Sequence, residues 1–467
     1  MKAEVTRRVF LRYLALGAGT AALAACAAPV VEPETQIVKE TVEVEKVVKE
    51  TVEVEKVVKE TVLVSKEHVN LRIGWWGALA RNDLYNELCD MYQDIDPDVT
   101  LIREYAQWGD YWIKVATQAA AGSLPDISAS VFDTLAEYGE RGVYMPLNAM
   151  VDAGAIDLSD WDPVVANCGK VKDSVYQIPT GVCVNCIVLN EDLIGNAGLE
   201  VPKFETSYDE WAAFCSQLQS ELPEQTWASD FGPLNQHHFQ GWILQNGYQI
   251  ADETGTSVGF PKEVVVELFE YWMELYNAGY IIPIDVYNQP LNDWWADAHL
   301  SVGRIATGFT DNNELKIYQN YNDDNLVIIR QLVMPDGAYR TGDFLRGSGW
   351  SLSTTSEYQD AAAGFVNWFV NDLEAAKIFS MELGALGSQS VAEALRDSIH
   401  PKDVLVLDHF NEILKELPPK MVDPKGTAAV LTARERMCNS ILYGAAIEDA
   451  VDDFMAEAEE IYRSASA

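Results

Sequence analysis

From Asn70 to Gly142 the chain alternates two hydrophobic patterns. Asn70–Trp75 is a short apolar run of strand length. Leu84, Leu88 and Met91 then recur at helical spacing, which predicts a helix over Asp83–Gln93. Val99, Leu101, Arg103 and Tyr105 alternate as a half-buried strand would. Trp108–Ala121 reads as a helix, and Pro125 leads into a strand at Ile127–Ser130. Another helix begins near Asp133 and stops at Gly142. This β-α-β-α-β order is that of a layered α/β lobe, because each element buries one apolar face on the next.

After Pro179 the pattern restarts with an apolar strand, Val182–Leu189. Helices are predicted at Tyr208–Leu218, His238–Gln245 and Lys262–Ala278, with strands near Val302–Thr307, Leu326–Val333 and Gly349–Ser353. The last third is helical. Ile447, Val451, Phe454, Ala458 and Ile461 share one face, opposite Glu448, Asp449, Asp452 and Asp453. Roughly 400 residues exceed what one hydrophobic core usually holds, so two lobes are expected.

The first residues carry a different pattern. Arg7-Arg8-Val9-Phe10-Leu11-Arg12 precedes a short Ala/Gly-rich apolar stretch that ends at Leu23-Ala24-Ala25-Cys26. A basic region, a short apolar region and small residues before a cleavage point form a secretory signal. The arginine pair resembles a twin-arginine export signal, and Leu-Ala-Ala-Cys resembles a lipobox whose Cys26 is lipidated. The stretch is too short to cross ~30 Å of hydrocarbon as a helix. Three copies of a ten-residue unit follow, Ile37–Lys46, Val47–Lys56 and Val57–Lys66, built from Lys, Glu, Val and Thr without glycine or aromatic residues. Residues 1–26 are therefore expected to be a signal and 27–68 a tether, with an oligomerising stalk as the alternative for the repeats.

The formal charge of −39 makes nucleic acid and anionic lipid poor partners. Cys183-Val-Asn-Cys186 lies within the predicted Val182–Leu189 strand, where residues three apart face opposite ways, so a shared metal or disulfide is not expected. Cys89, Cys168, Cys215 and Cys438 stand at no zinc-binding spacing. Phosphate-binding loops, His-Glu-x-x-His and Gly-x-Ser-x-Gly are absent from the sequence, and no cofactor or catalytic set is expected. His237-His238 is adjacent rather than spaced for one helix face, and reads as a loop pair. Asp252-Glu253-Thr254-Gly255 reads as a hairpin turn.

Thirteen tryptophans are a heavy load, and many aromatic residues stand at element ends. Trp75-Trp76-Gly77 follows the first strand, Phe132-Asp133 the third, and Phe309-Thr310-Asp311 a later one; Arg346 and Trp350 flank a short strand. In open α/β sheets ligands bind beyond the carboxyl ends of strands. Aromatic rings there stack on apolar sugar faces, while Asp, Asn and Arg bond hydroxyls. Trp112, Trp211, Trp272 and Trp368 fall within helices and read as core.

Ordered blocks along Val69–Ser464 carry a resemblance. These are Leu71–Gly77 through Arg81, Asp110–Lys114 to Ala121–Asp126, Leu189–Leu193 with Ala197-Gly198-Leu199, Tyr208–Trp211, Gly303–Ala306, and Gly349–Ser353 followed by Ala361–Ala376. Together the chain resembles the extracellular solute-binding proteins of ABC importers, in the large sugar-binding family that includes maltose-binding proteins. It departs from the family pattern at Phe309–Asn312, where many members carry a tryptophan, and at Leu189, a common tyrosine position.

The resemblance implies a two-lobed periplasmic-binding-protein fold with hinge crossovers and a ligand cleft. Lobe one would span about 69–180 plus 343–384, and lobe two about 181–342 plus 385–467. It implies capture of a carbohydrate, delivery to ABC permease subunits and a lipid-anchored position outside the cytoplasm, without catalysis. The expected ring-stacking residues are Trp75, Trp76, Phe309 and Trp350; neighbours on a strand face opposite ways, so only one of Trp75 and Trp76 can face the cleft, and Trp76, nearer the loop, is favoured. Arg81, Asp133, Asp311 and Arg346 would bond hydroxyls, with Gly77, Phe132 and Thr310 beside them. The alternatives are a secreted carbohydrate-active enzyme, or the same fold holding a non-sugar solute.

Overall fold

The computed structural model describes residues 68–466. The expected signal, Cys26 and the three repeats lie outside the described residues. In chain order the longer strands are β1 (Val69–Trp76), β2 (Val99–Ala106), β3 (Ile127–Val131), β4 (Ile178–Cys183), β5 (Asn185–Asn190), β6 (Trp227–Ser229), β7 (Ile305–Asp311), β8 (Leu326–Arg330) and β9 (Arg346–Leu352). They form two main sheets, ordered β2-β1-β3-β9-β4 and β8-β5-β7-β6.

In the first sheet β1 runs parallel to β2 and β3, while β9 is antiparallel to both β3 and β4. Helix α1 (Leu79–Ile95) follows β1, α2 (Trp108–Ala120) follows β2 and α3 (Phe132–Glu140) follows β3. Helices cover both faces of β1, and that corrects the reading of Trp75-Trp76. Alternation sends the two rings to opposite faces, but neither face is open. Trp75 is wholly buried with its ring 5.0 Å from that of Tyr85 in α1. Trp76 lies 5.5 Å from Tyr111 in α2 and is almost as buried. A parallel strand roofed on both sides reads as continuous rather than alternating burial.

The second sheet carries α4 (Tyr208–Glu221), α5 (Gln236–Gln245), α6 (Lys262–Asn277) and the C-terminal pair α7 (Thr427–Leu442) and α8 (Ile447–Ser466). Local chemistry fixes where α4 starts: Ser207 and Glu210 form a capping box, each bonding the other's backbone N–H. Trp211, Trp272 and Phe454 sit in this core. On α8, Val451, Phe454 and Ala458 are buried as the apolar stripe requires, while Tyr462 rather than Ile461 completes the face.

The strand predicted over Val182–Leu189 is two strands. The chain leaves the first sheet at Cys183, passes through Val184 and enters the second sheet at Asn185. Cys183 and Cys186 therefore sit in different sheets. An apolar run buried on both faces suits either sheet, so periodicity alone cannot find the break. Asn312, fully buried, pins the crossing: Val184 N–H donates to its Oδ1 at 3.1 Å and its own N–H donates to Val184 O at 3.0 Å. Beside the crossing, Val182 and Ala385 exchange backbone hydrogen bonds of 2.9 and 2.7 Å. The approach needs Gly384, whose φ is +116° and where a Cβ would lie 2.4 Å from Val182 O. A second passage, the run-in to β9, is tied by Arg330 of β8, whose Nε donates to Asp343 Oδ2 at 3.0 Å.

Candidate functional site

The first sheet supplies one wall of a cavity of about 300 Å³. Phe132 and Asp133, at the start of α3 beyond the carboxyl end of β3, face it, together with Phe344 and Arg346 from the run-in and start of β9. Lys170 and the 417–423 segment complete the lining. Lys420 lies 4.8 Å over the Phe344 ring and pairs with Asp423 at 2.6 Å. No hydrogen bond or ion pair within the protein holds the Asp133 side chain among the described residues, so its oxygens are available acceptors on the cavity wall. Burial raises its affinity for a proton, and the Arg346 guanidinium opposes that.

Arg346 connects this wall to the second sheet. Its guanidinium forms an ion pair with Asp311 at the end of β7 and donates to Nε2 of His237 in the first turn of α5. It also reaches Cys183 Sγ at 3.8 Å. A donor at Nε2 leaves the His237 proton on Nδ1, which lies 3.7 Å from Asp311 Oδ1. Burial and the neighbouring arginine hold His237 far below the usual histidine range, so it is neutral. Glu314 accepts from Thr310 and is pushed up to about 7, first by burial and then by the Asp311 charge. Asp311 is itself raised by burial, with Arg346 opposing. Arg346 Nε, Asp311 Oδ1 and His237 Nδ1 are buried atoms without a protein partner. Unpaired polar atoms at one place are costly unless something else bonds them.

The structure sorts the expected site residues into groups. Phe132, Asp133 and Arg346 line the cavity, and Asp311 joins them through Arg346. Trp350 does not: it is fully buried, ringed by Tyr85, Phe365 and Phe369. Phe309 is likewise core, 4.6 Å from His238 and 5.2 Å from Trp272. Both rings have their faces occupied by protein, so neither offers a stacking surface. Trp75 belongs with them. Trp76 is covered by Tyr111 and Trp112, with the Trp108 ring set edge-on 5.1 Å away. Arg81 is paired with Glu382 at 2.9 Å, and Gly77 donates its N–H to Ala106 O. Thr310 is nearly buried and serves Glu314.

Sequence reasoning missed His237, Lys420 and Phe344. The histidine pair reads as a loop, but both rings are buried on α5, whose N-terminal cap is Asn235, bonded to both their N–H groups. Asn235 standing just before the helix was the available signal. Lys420 comes from a segment distant in sequence, and nothing local marked it. Asp252 does bond the N–H groups of Thr256 and Ser257 within a tight turn, as expected. Among the described residues no His, Cys, Asp and Glu side chains cluster to hold a metal ion. Among them, too, no helix is long and apolar enough to cross a membrane.

The fold has solved counterparts. A periplasmic solute-binding protein from Pectobacterium atrosepticum superposes with a TM-score of 0.74 at 19% identity, over 85% of this chain and 99% of that one. A periplasmic oligogalacturonide-binding protein from Yersinia enterocolitica, solved with saturated digalacturonic acid, gives 0.72 at 20% identity, over 85% and 100%. An ABC substrate-binding protein from Listeria monocytogenes, solved with cycloalternan, gives 0.68 at 19% identity, over 84% and 98%. This chain shares their two-lobed periplasmic-binding-protein architecture. A family model described as bacterial extracellular solute-binding protein matches residues 87–397, and the chain belongs to that family.

Proposed function

We propose that this protein captures a sugar or oligosaccharide in the cavity beside Arg346 and hands it to the membrane subunits of an ABC importer. The observation that carries the reading is the chemistry of that cavity. One wall combines a flat ring, Phe132, an unpaired carboxylate, Asp133, and a guanidinium, Arg346, beyond the carboxyl ends of parallel strands. A pyranose offers an apolar face to the first and hydroxyl donors and acceptors to the other two. Solved proteins of this fold bind oligogalacturonide and cycloalternan, which supports the same ligand class here. The crossing at Val184 and the passage before β9 serve as hinges, so that ligand binding closes the cleft. The division we propose, about 69–180 plus 343–384 and about 181–342 plus 385–467, is drawn with its first crossing moved to Val184, between the two sheets. Cys26 carries the lipid, the twin-arginine signal exports the chain, and the repeats hold it off the membrane.

One observation favours the enzyme reading: Asp311 and Glu314 are a buried carboxylate pair with raised proton affinity. Both are already engaged, Asp311 by Arg346 and Glu314 by Thr310 and Tyr318, and Glu314 does not line the cavity. Binding without chemistry is the better account. A thermal-shift screen over mono- and oligosaccharides tests it, since a ligand that binds only the folded state raises the melting temperature. With the right sugar, small-angle scattering should record a smaller radius of gyration. New reducing ends appearing in proportion to protein would instead establish hydrolysis. Cys26→Ser should leave the protein unprocessed or released to the medium.

A further inference from the structure

Basic residues are outnumbered in this chain, 33 against 72 acidic ones, so a lysine finds a carboxylate easily. Among the described residues every lysine but one has its ammonium in an ion pair or a hydrogen bond. The exception is Lys170, and it lines the cavity.

The backbone beneath that free ammonium is fixed. Lys170 pairs with Val175 across a tight hairpin, and its N–H donates to Asn167 O at 3.1 Å. Just before it, Tyr176 N–H donates to Gly169 O at 2.9 Å, so close an approach that a Cβ on Gly169 would lie 1.9 Å from Gln177 O. Gln177 in turn donates to Ser130 Oγ of β3 at 2.6 Å, which ties the hairpin to the first sheet. Lys170 is thus presented at the cavity before anything binds, and little backbone ordering is left for a ligand to impose.

The other cations on the lining are engaged, Lys420 by Asp423 and Arg346 by Asp311. Asp133 already feels the Arg346 guanidinium, so what it lacks is hydrogen-bond donors rather than another cation. Lys170 lacks an anion. Asp133 and Lys170 line one cavity without pairing with each other, which leaves both for the occupant. One ammonium balances one negative charge. A carboxylate carries one, whereas a phosphate monoester carries nearly two at neutral pH.

We infer that the occupant is an acidic sugar, a uronate whose carboxylate is bonded by Lys170 while its hydroxyls donate to Asp133, and that Lys170 sets the preference for acid over neutral sugar. This deepens the sugar reading of the cavity and rests on it. The acidic surface of the whole chain repels anions at a distance, so the preference comes from contact and not from steering.

The test is calorimetry on the full chain with matched pairs: galacturonate against galactose and glucuronate against glucose, as mono- and disaccharides, with the uronate methyl esters and glucose 6-phosphate beside them. In the pair that binds, the acid should bind roughly tenfold tighter than its neutral counterpart and its ester, the scale of one hydrogen bond to a charged group. Lys170→Gln should erase most of that preference and Lys170→Arg should keep it. Lys170→Gln should also melt where wild type does, because no described protein group bonds the ammonium. Equal affinity for acid and neutral sugar, or a preference that survives Lys170→Gln, overturns the acidic ligand while leaving sugar binding intact. Glucose 6-phosphate outranking glucuronate overturns the carboxylate. No binding of any of these saccharides overturns the inference together with the sugar reading.

Discussion

Two aromatic regions of the first lobe use the same residue types for opposite ends. In the interior, Trp75, Tyr85, Trp350, Phe365, Phe369 and Phe379 pack ring against ring with almost no exposure. On the rim beyond the carboxyl ends of the strands, Trp108 leans on Trp76 and Trp112, and Phe132 opens onto the cavity. The inner rings have protein on every face, so truncating one leaves a void. The rim rings are only partly covered by protein, so truncating one removes a surface for something else. Residue identity does not separate the two; what separates them is whether a helix covers the position.

Trp350→Ala should bring the largest effect, a loss of ~3–5 kcal/mol of stability, the range for emptying a large aromatic site. Chemical denaturation reads it, and the folded fraction should bind ligand with unchanged affinity. If affinity falls more than stability, Trp350 belongs to the site and the contrast fails.

Arg346→Ala comes next. It strands Asp311 beside the buried His237 and should cost toward the low end of ~3–5 kcal/mol, since 16% of each partner of the pair is exposed. Asp311→Asn in the same chain should recover much of that loss. Arg346→Ala should also abolish ligand binding, unlike any change confined to the inner rings.

A pH series sharpens the comparison with the second lobe. Asp230 accepts from Phe309 N–H, and burial pushes it up from 3.8 to about 7. A folded-state value above the unfolded one gives stability that is complete below about 3.8 and is lost as pH rises through about 7. Asp230→Asn keeps an acceptor for Phe309 without a charge. It should be more stable than wild type at pH 8 by on the order of 2–4 kcal/mol and lose that advantage near pH 4. His238 works the other way: burial lowers it to about 3, so its contribution is complete above 6.5 and lost on acidification through about 3. A variant gain at pH 8 no larger than at pH 4 would show that Asp230 is solvated.

The smallest effect belongs to the rim. Trp108→Leu should change stability by less than ~1 kcal/mol, as expected away from a packed core. A loss comparable to that of Trp350→Ala would make Trp108 an inner ring and remove the distinction between the regions.

The sequence alone determined much of this protein. Strands at 70–75, 99–105 and 127–130 and the helices between them follow from the spacing of Leu71, Ile73, Leu84, Leu88, Val99 and Leu101, because local periodicity reports which face an element buries. The ordered blocks that carry the family resemblance were equally legible, and Phe132, Asp133 and Arg346 were found from their places at strand ends. Tertiary structure decided the rest. The break at Val184 is invisible because Val182–Leu189 is buried throughout and suits either sheet. Trp75, Phe309 and Trp350 stand at or near strand ends in the sequence, but helices and rings from distant segments cover them. His237 and Lys420 reach the site from elements far apart in the chain. A hydrophobic pattern encodes that a residue wants to be covered; only the packing of remote elements settles whether protein or ligand does the covering.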